Sequence, residues 1–417
     1  MPVAGSALER WGRRVAADPA AIRRLTIVLL VLQTLVYGVW IGYAVRTDRP
    51  VDFASYYVAA EAMRRDIDPY HLDALEMAEI GADLGVPYAA VPIYRYPPHT
   101  AALLRPLTSV GYKSALVIWS CLNAAAMIVA TVLVAKALGG GFRVPAGLAL
   151  LLVFAPAYDT LLSGQINGLV LLCFALGLWG LMDDRPLVTA VGLGVGAALK
   201  ILPFALVLYL FWRRRWRAAI ACCVVLAVLT LACTVLVDGG IWVSYAHHAV
   251  ALATAKGGLA LPPNPSVTGL LSRTLGSTDA VRVVASLLSV VLLGLTALLC
   301  WPRGPFSRWV ALESSLVVAA VVLAPAFTWF HQLTILVLPI LVIGDELVSR
   351  RRWRSLAALV ALVILADLSQ PLWYKYWETL NRTGVYRVMS APFLLSAFVW
   401  GIAAALLVRA KWRESGA

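Results

Sequence analysis

Val51-Asp52-Phe53-Ala54-Ser55-Tyr56-Tyr57-Val58-Ala59-Ala60-Glu61-Ala62-Met63-Arg64-Arg65-Asp66-Ile67-Asp68-Pro69-Tyr70 follows a long apolar run over 25–45. It is too polar to cross a bilayer itself. Asp52 stands at its head, Ser55 and Glu61 fall in its first turns, and alanines follow up to Pro69. This pattern predicts a helix capped by a carboxylate and closed before the proline. Set directly after a membrane-length run, such a helix is expected to lie on the membrane surface. Asp66 and Asp68, ahead of Pro69-Tyr70, are expected to shape the turn that ends it.

Outward from this stretch the chain is apolar. Of its 417 residues 61% are hydrophobic and 14% charged, against about 45–50% and 25% in a soluble domain, and the mean hydropathy is +0.82. These values place it among integral membrane proteins. Apolar runs recur near 25–45, 111–136, 144–162, 165–182, 187–199, 201–212, 217–237, 281–301, 309–324, 331–347, 354–368 and 390–409, about twelve in all. An all-α polytopic fold follows, one membrane domain over 1–417 without a separable soluble part or an internal repeat. The first run carries no cleavage signal after it and is expected to be a retained helix.

Short cytoplasmic loops collect Lys and Arg. With the N-terminus inside, the clusters at Arg10, Arg13 and Arg14, at Arg213–Arg217, at Arg350–Arg354 and at Arg409, Lys411 and Arg413 all fall on the inner side, which places both termini in the cytoplasm. Long outer segments then cover 46–110 and 238–280, with a shorter one at 369–389. The net charge of +13 does not imply a nucleic-acid partner, because the basic residues flank apolar runs instead of forming one patch. The six cysteines fall within or at the ends of runs with no CxxC, so neither a disulfide framework nor a metal site is expected.

In this topology the unusual polar residues share the outer boundary: Asp52, Tyr94-Arg95-Tyr96-Pro97-Pro98-His99, Gly164-Gln165-Ile166-Asn167, Lys200, Asn264, His331 and Trp373-Tyr374-Lys375-Tyr376. Polar helix breaks at a membrane boundary are tolerated where they line a wet cavity. One such cavity is expected. Each residue also has an ordinary structural reading. Asp52 caps a helix, Gly164–Asn167 makes a turn, Lys200 snorkels to the interface, and Tyr56, Tyr57, Trp373 and Trp377 belong to an aromatic belt. The functional readings are a base at Asp52, phosphate contacts from Lys200, His331, Arg95 or His99, and sugar contacts from the amides and aromatics.

Taken together these motifs resemble glycosyltransferase family 87, polyprenyl-phosphate-mannose-dependent mannosyltransferases of multi-span GT-C architecture. The resemblance rests on Asp52-Phe53 with Tyr56-Tyr57, Asp68-Pro69-Tyr70, Tyr96-Pro97-Pro98, Gly164-Gln165-Ile166-Asn167, Lys200 with Pro203, Asn264-Pro265-Ser266 with Gly269-Leu270-Leu271, and Ala324-Pro325 with Trp329 and His331-Gln332. Two positions depart from the family. Pro265 replaces an amide, and Gln332 replaces a second His. The resemblance implies an inverting enzyme of the plasma (inner) membrane, working on the extracytoplasmic side. It would move a sugar, mannose in the best-known members, from a polyprenyl-phosphate donor to a hydroxyl of a glycolipid or lipoglycan such as a phosphatidylinositol mannoside.

In that reaction Asp52 is expected to be the base, Lys200, His331 and Arg95 to meet the donor phosphate, and Gln165, Asn167, Asn264, Tyr56 and Tyr96 to contact sugar or acceptor. The one Asp-x-Asp pair that stands out in the outer segments, Asp66-Ile67-Asp68, has the context of a turn, so no metal or other cofactor is expected. Competing readings are a transferase of the same fold using another sugar, such as a pentose, and a transporter of lipid-linked sugar. The missing repeat and the one-sided polar residues favour the enzyme.

Overall fold

A computed structural model describes residues 18–47, 50–237, 239–254, 257–261, 264–302, 306–383 and 390–414. The side chains of 370–383 lie outside the described set, and with them the expected outer aromatics Trp373, Tyr374, Tyr376 and Trp377 and the neighbouring Lys375. Arg10, Arg13 and Arg14 also lie outside it.

Among the described residues every element is helical, and all twelve apolar runs form helix. Six helices are long and apolar enough to cross a membrane, beginning with Pro19–Arg46, Tyr112–Ala137 and Trp216–Leu236. A seventh is obtained if Arg143–Val153 and Ala155–Ser163, bent by 58°, are taken as one span. The difference from twelve lies in length. Pro186–Leu199 and Phe204–Trp212 have 14 and 9 residues, about 21 and 13 Å of helix, where the hydrocarbon core is about 30 Å thick. Lys200–Pro203 separates the two.

The bundle sorts its helices by packing. Pro19–Arg46, Trp216–Leu236 and Asp279–Leu299 leave most of their apolar side chains exposed, as lipid-facing helices do. Asn167–Met182 is buried along much of its length between Tyr112–Ala137 and Pro186–Leu199. The second contact is close because small residues line it, as is common between membrane helices. A Cβ at Gly192 would come within 2.6 Å of the Gly177 nitrogen.

The helix predicted after the first run exists as Val51–Arg64, but two features differ from expectation. Its N-cap is Pro50, and Asp52 makes no capping bond. The helix is also enclosed: every residue from Phe53 to Met63 is buried, against Ala74–Ala82, Pro98–Leu104, the 3-10 turn Arg105–Ser109 and Ala155–Ser163. Chain segments on either side cover it, so it is buried within the protein. Its C-terminal turn forms as expected. Asp66 takes a positive φ of 58°, and the Asp68 carboxylate accepts from the Tyr70 N–H at 2.9 Å.

Candidate active site

Asp52 lies in the first turn of Val51–Arg64, half-buried, with no hydrogen-bond donor among the described residues. One turn later Tyr56 is fully buried, and its hydroxyl donates to Gln165 Oε1 at 2.6 Å. The Tyr96 hydroxyl donates to the same oxygen at 2.9 Å, and the two rings meet edge-on at 4.6 Å. Both phenols are held above their ordinary pKa, mainly by burial, with the Asp52 charge adding to it. They remain neutral donors.

Two turns fix these groups. Tyr94 donates to Pro97 O and accepts from Ala101 N, and Tyr70 donates to Tyr96 O, which locks the Tyr96-Pro97-Pro98 corner. Gly164 takes a left-handed φ of 68°, where a Cβ would stand 2.5 Å from that of Phe53. Its carbonyl accepts from Trp119 Nε1 at 2.8 Å. The Gly164–Asn167 turn is therefore pressed against the residue next to Asp52.

Beyond Gln165 the polar chain continues. Lys200, 6% exposed, donates to Asn167 Oδ1 at 2.9 Å and lies 5.4 Å from the Tyr96 ring centre. Burial pushes its ammonium down to about 7, and the Asp52 carboxylate opposes that shift. Asn167 Nδ2 in turn donates to the His331 carbonyl at 3.1 Å. His331 is buried, its Nδ1 3.7 Å from Asp159 Oδ2 and its ring stacked on Trp329. His331 Nε2 and Asp159 Oδ1 are both buried without a partner among the described residues.

Asp52, Tyr56, Tyr96, Gln165, Asn167, Lys200 and His331 are thus brought together. Two other expectations change. Asn264 is fully buried and its amide is consumed by backbone, donating to Leu259 O and Ala326 O and accepting from Ser266 N and Thr328 N. It clasps two segments and has no capacity left for a sugar. His99 bonds Thr230 and is lowered to about 4 by burial, so it is neutral and no phosphate cation. Arg95 is exposed beside Tyr96, outside the hydrogen-bonded chain, its charge felt at Tyr96 and His248.

Sequence reading missed Asp159. It was absorbed into an apolar run, although an ionisable residue inside such a run is itself a functional signal.

A family model matches the segment that carries Tyr96, Asp159, Gln165, Asn167 and Lys200, while Asp52, Tyr56 and His331 lie outside it. The model for glycosyltransferase family 87 covers residues 94–325, more than half of the chain. The chain belongs to glycosyltransferase family 87. Two curated relatives of this family 87 chain come from Mycobacterium tuberculosis. A polyprenol-phosphate-mannose-dependent alpha-(1-2)-phosphatidylinositol pentamannoside mannosyltransferase (strain CDC 1551 / Oshkosh) is 28% identical over 296 residues, 69% of this chain and 65% of the relative. The match thus spans just under two thirds of that protein. A polyprenol-phosphate-mannose-dependent alpha-(1-2)-phosphatidylinositol mannoside mannosyltransferase (strain ATCC 25618 / H37Rv) is 28% identical over 374 residues, 83% of this chain and 82% of the relative. Among solved structures, ArnT from Cupriavidus metallidurans bound to undecaprenyl phosphate is a loose match. Its TM-score is 0.43 at 14% identity, covering 91% of this chain and 76% of that one.

Proposed function

We propose that this family 87 chain transfers a mannosyl residue from a polyprenyl-phosphate donor to a hydroxyl of a phosphatidylinositol-mannoside-like glycolipid, on the extracytoplasmic face of the membrane. Family membership and the donor and acceptor named for the two relatives support the substrates. The carrying observation is electrostatic. A half-buried carboxylate without a partner among the described residues, Asp52, makes its charge felt at a buried ammonium, Lys200, and at two neutral phenols, Tyr56 and Tyr96.

In this reading Asp52 takes the proton of the attacking hydroxyl as the new C–O bond forms. The bond from C1 to the phosphate oxygen breaks, and its electron pair leaves with the phosphate. A phosphate leaving group needs positive charge more than a proton. Lys200 supplies it, with His331 Nε2 as a second donor where the imidazole is protonated or carries its proton there. Single displacement inverts the anomeric centre. The Gln165 and Asn167 amides and Tyr96 orient the sugar, and the lipid tail runs between helices. The mechanism invokes no metal, and the assay carries a chelator arm for that reason.

The test is mannose transfer by the purified full-length protein from polyprenyl-phosphate mannose to a phosphatidylinositol mannoside, with and without chelator. Wild type should transfer in both conditions, and Asp52→Asn should lose about 10²–10⁴-fold in turnover at unchanged thermal stability. Full turnover in Asp52→Asn would remove the base assignment. Transfer by wild type from a polyprenyl-phosphate pentose alone would redirect the donor.

A further inference from the structure

Arg273 lies on the helix Val267–Leu275, and none of its bonds involves the chain of contacts described above. Its Nη1 is fixed from behind, donating to Leu261 O at 2.9 Å and Asn264 O at 2.8 Å. The other edge of the guanidinium, Nε and Nη2, is buried without a partner among the described residues. That edge carries the two parallel N–H vectors that fit a pair of carboxylate or phosphate oxygens. Burial lowers the group to about 10, and no neighbouring acid opposes the shift. A buried cation with no counter-charge is strongly unfavourable; one that meets an anion in the working state is not.

The setting is rigid and reaches the candidate active site. Asn264, whose carbonyl holds Nη1, also accepts from Thr328 N, three residues before His331. Ser266 adds a bond to Ala326 O, the acceptor that Asn264 Nδ2 also uses. Gly269 allows the helix to come close, since a Cβ there would stand 2.4 Å from Asn264 O. The clasp holds the guanidinium by one nitrogen and leaves the paired edge buried and without a partner among the described residues.

We propose that Arg273 is an anion site, separate from Lys200, that binds two oxygens of the phosphate carried by a lipid substrate. The inference rests on the reading above, in which both substrates are phospholipids. The donor carries a phosphodiester between sugar and polyprenol, the acceptor one between inositol and its diacylglycerol anchor. Arg273 takes one of them, and kinetics distinguish which.

Full-length protein in phosphatidylcholine nanodiscs is assayed as wild type, Arg273→Gln and Arg273→Lys, varying each lipid at saturating levels of the other. Lys keeps a donor for the Leu261 and Asn264 carbonyls but lacks the fork, so it preserves the clasp where Gln fails to fold. The expected result is a rise of about 10- to 100-fold in KM for one lipid only, with kcat largely kept and Lys recovering only part. A rise for the donor assigns the sugar phosphate; a rise for the acceptor assigns the anchor. A second arm needs no turnover: undecaprenyl phosphate or phosphatidylinositol should raise the thermal midpoint of wild type and not of Arg273→Lys. If wild type transfers no mannose yet shows that Arg273-dependent shift, the functional reading fails and the anion site stands. Unchanged KM values together with unchanged ligand shifts in the variants overturn the site and leave Arg273 a loop clasp.

Discussion

Two buried ionic groups stand at opposite ends of the nine-residue helix Phe204–Trp212, and they are finished to different degrees. At its C-terminal end Glu313, fully buried, has both oxygens engaged. Lys411 donates to Oε1 at 2.8 Å, Tyr209 to Oε2 at 2.7 Å, and Arg213 Nε lies 3.1 Å from Oε2. The cations are further bonded to the Trp301 and Leu299 carbonyls. At the N-terminal end, among the described residues, Lys200 has one hydrogen bond, Asp52 has none, and His331 Nε2 and Asp159 Oδ1 have no partner. Buried polar groups are normally satisfied. Both Glu313 oxygens are engaged, which marks it as a structural tie, although Arg213 Nε makes no hydrogen bond there. At the other end His331 Nε2 and Asp159 Oδ1, unpartnered among the described residues, remain available to a ligand.

Breaking the tie should cost most in stability and least in chemistry. Glu313→Gln leaves Arg213, 2% exposed, without its counter-charge. A loss of about 3–5 kcal/mol is expected in thermal or denaturant unfolding, with turnover per folded molecule preserved. If stability held and turnover fell, the two ends would have been assigned the wrong way round. A smaller effect of mixed character belongs to Gly164→Ala. Its φ of 68° and the 2.5 Å approach to Phe53 should cost about 1–3 kcal/mol and displace Asp52, so unfolding and transfer should fall together. Turnover that falls with no change in unfolding would show that the turn tunes chemistry alone.

The mildest perturbation is pH. In the free enzyme burial holds Lys200 near 7, so it is an ammonium below that value and an amine above it. If its charge meets the donor phosphate, kcat/KM for the donor should be level below about 7 and fall up to about tenfold per unit above it. Arginine stays charged throughout that range, and Lys200→Arg should therefore flatten the alkaline limb. A limb that persists in the variant belongs to another group.

What sequence could and could not reveal follows from how far each contact reaches. Helix positions were legible because apolar runs and their breaks are local. Gln165, Asn167, Lys200 and His331 could be singled out because polar residues at breaks between apolar runs are a local signal, and the structure joins the last three by hydrogen bonds. Enclosure of Val51–Arg64 was not, since the residues that cover it come from 74–109 and 155–163. Asn264 looked like a sugar ligand because its amide bonds are made to backbone as far as 62 and 64 residues away, and backbone partners leave no mark on composition. Asp159 was hidden by its apolar neighbours, and its companion His331 belongs to a different run.

The enclosed helix also bears on biosynthesis. Tyr56 binds Gln165, 109 residues later, and Lys200 and His331 arrive later still as the ribosome proceeds. Asp52 leaves the ribosome early but lacks its later partners until about two thirds of the chain has followed. Completion of the candidate site is therefore a late event that follows insertion of the earlier helices. A translation product stopped short of His331 should sit in the membrane with helices in place and no capacity for transfer.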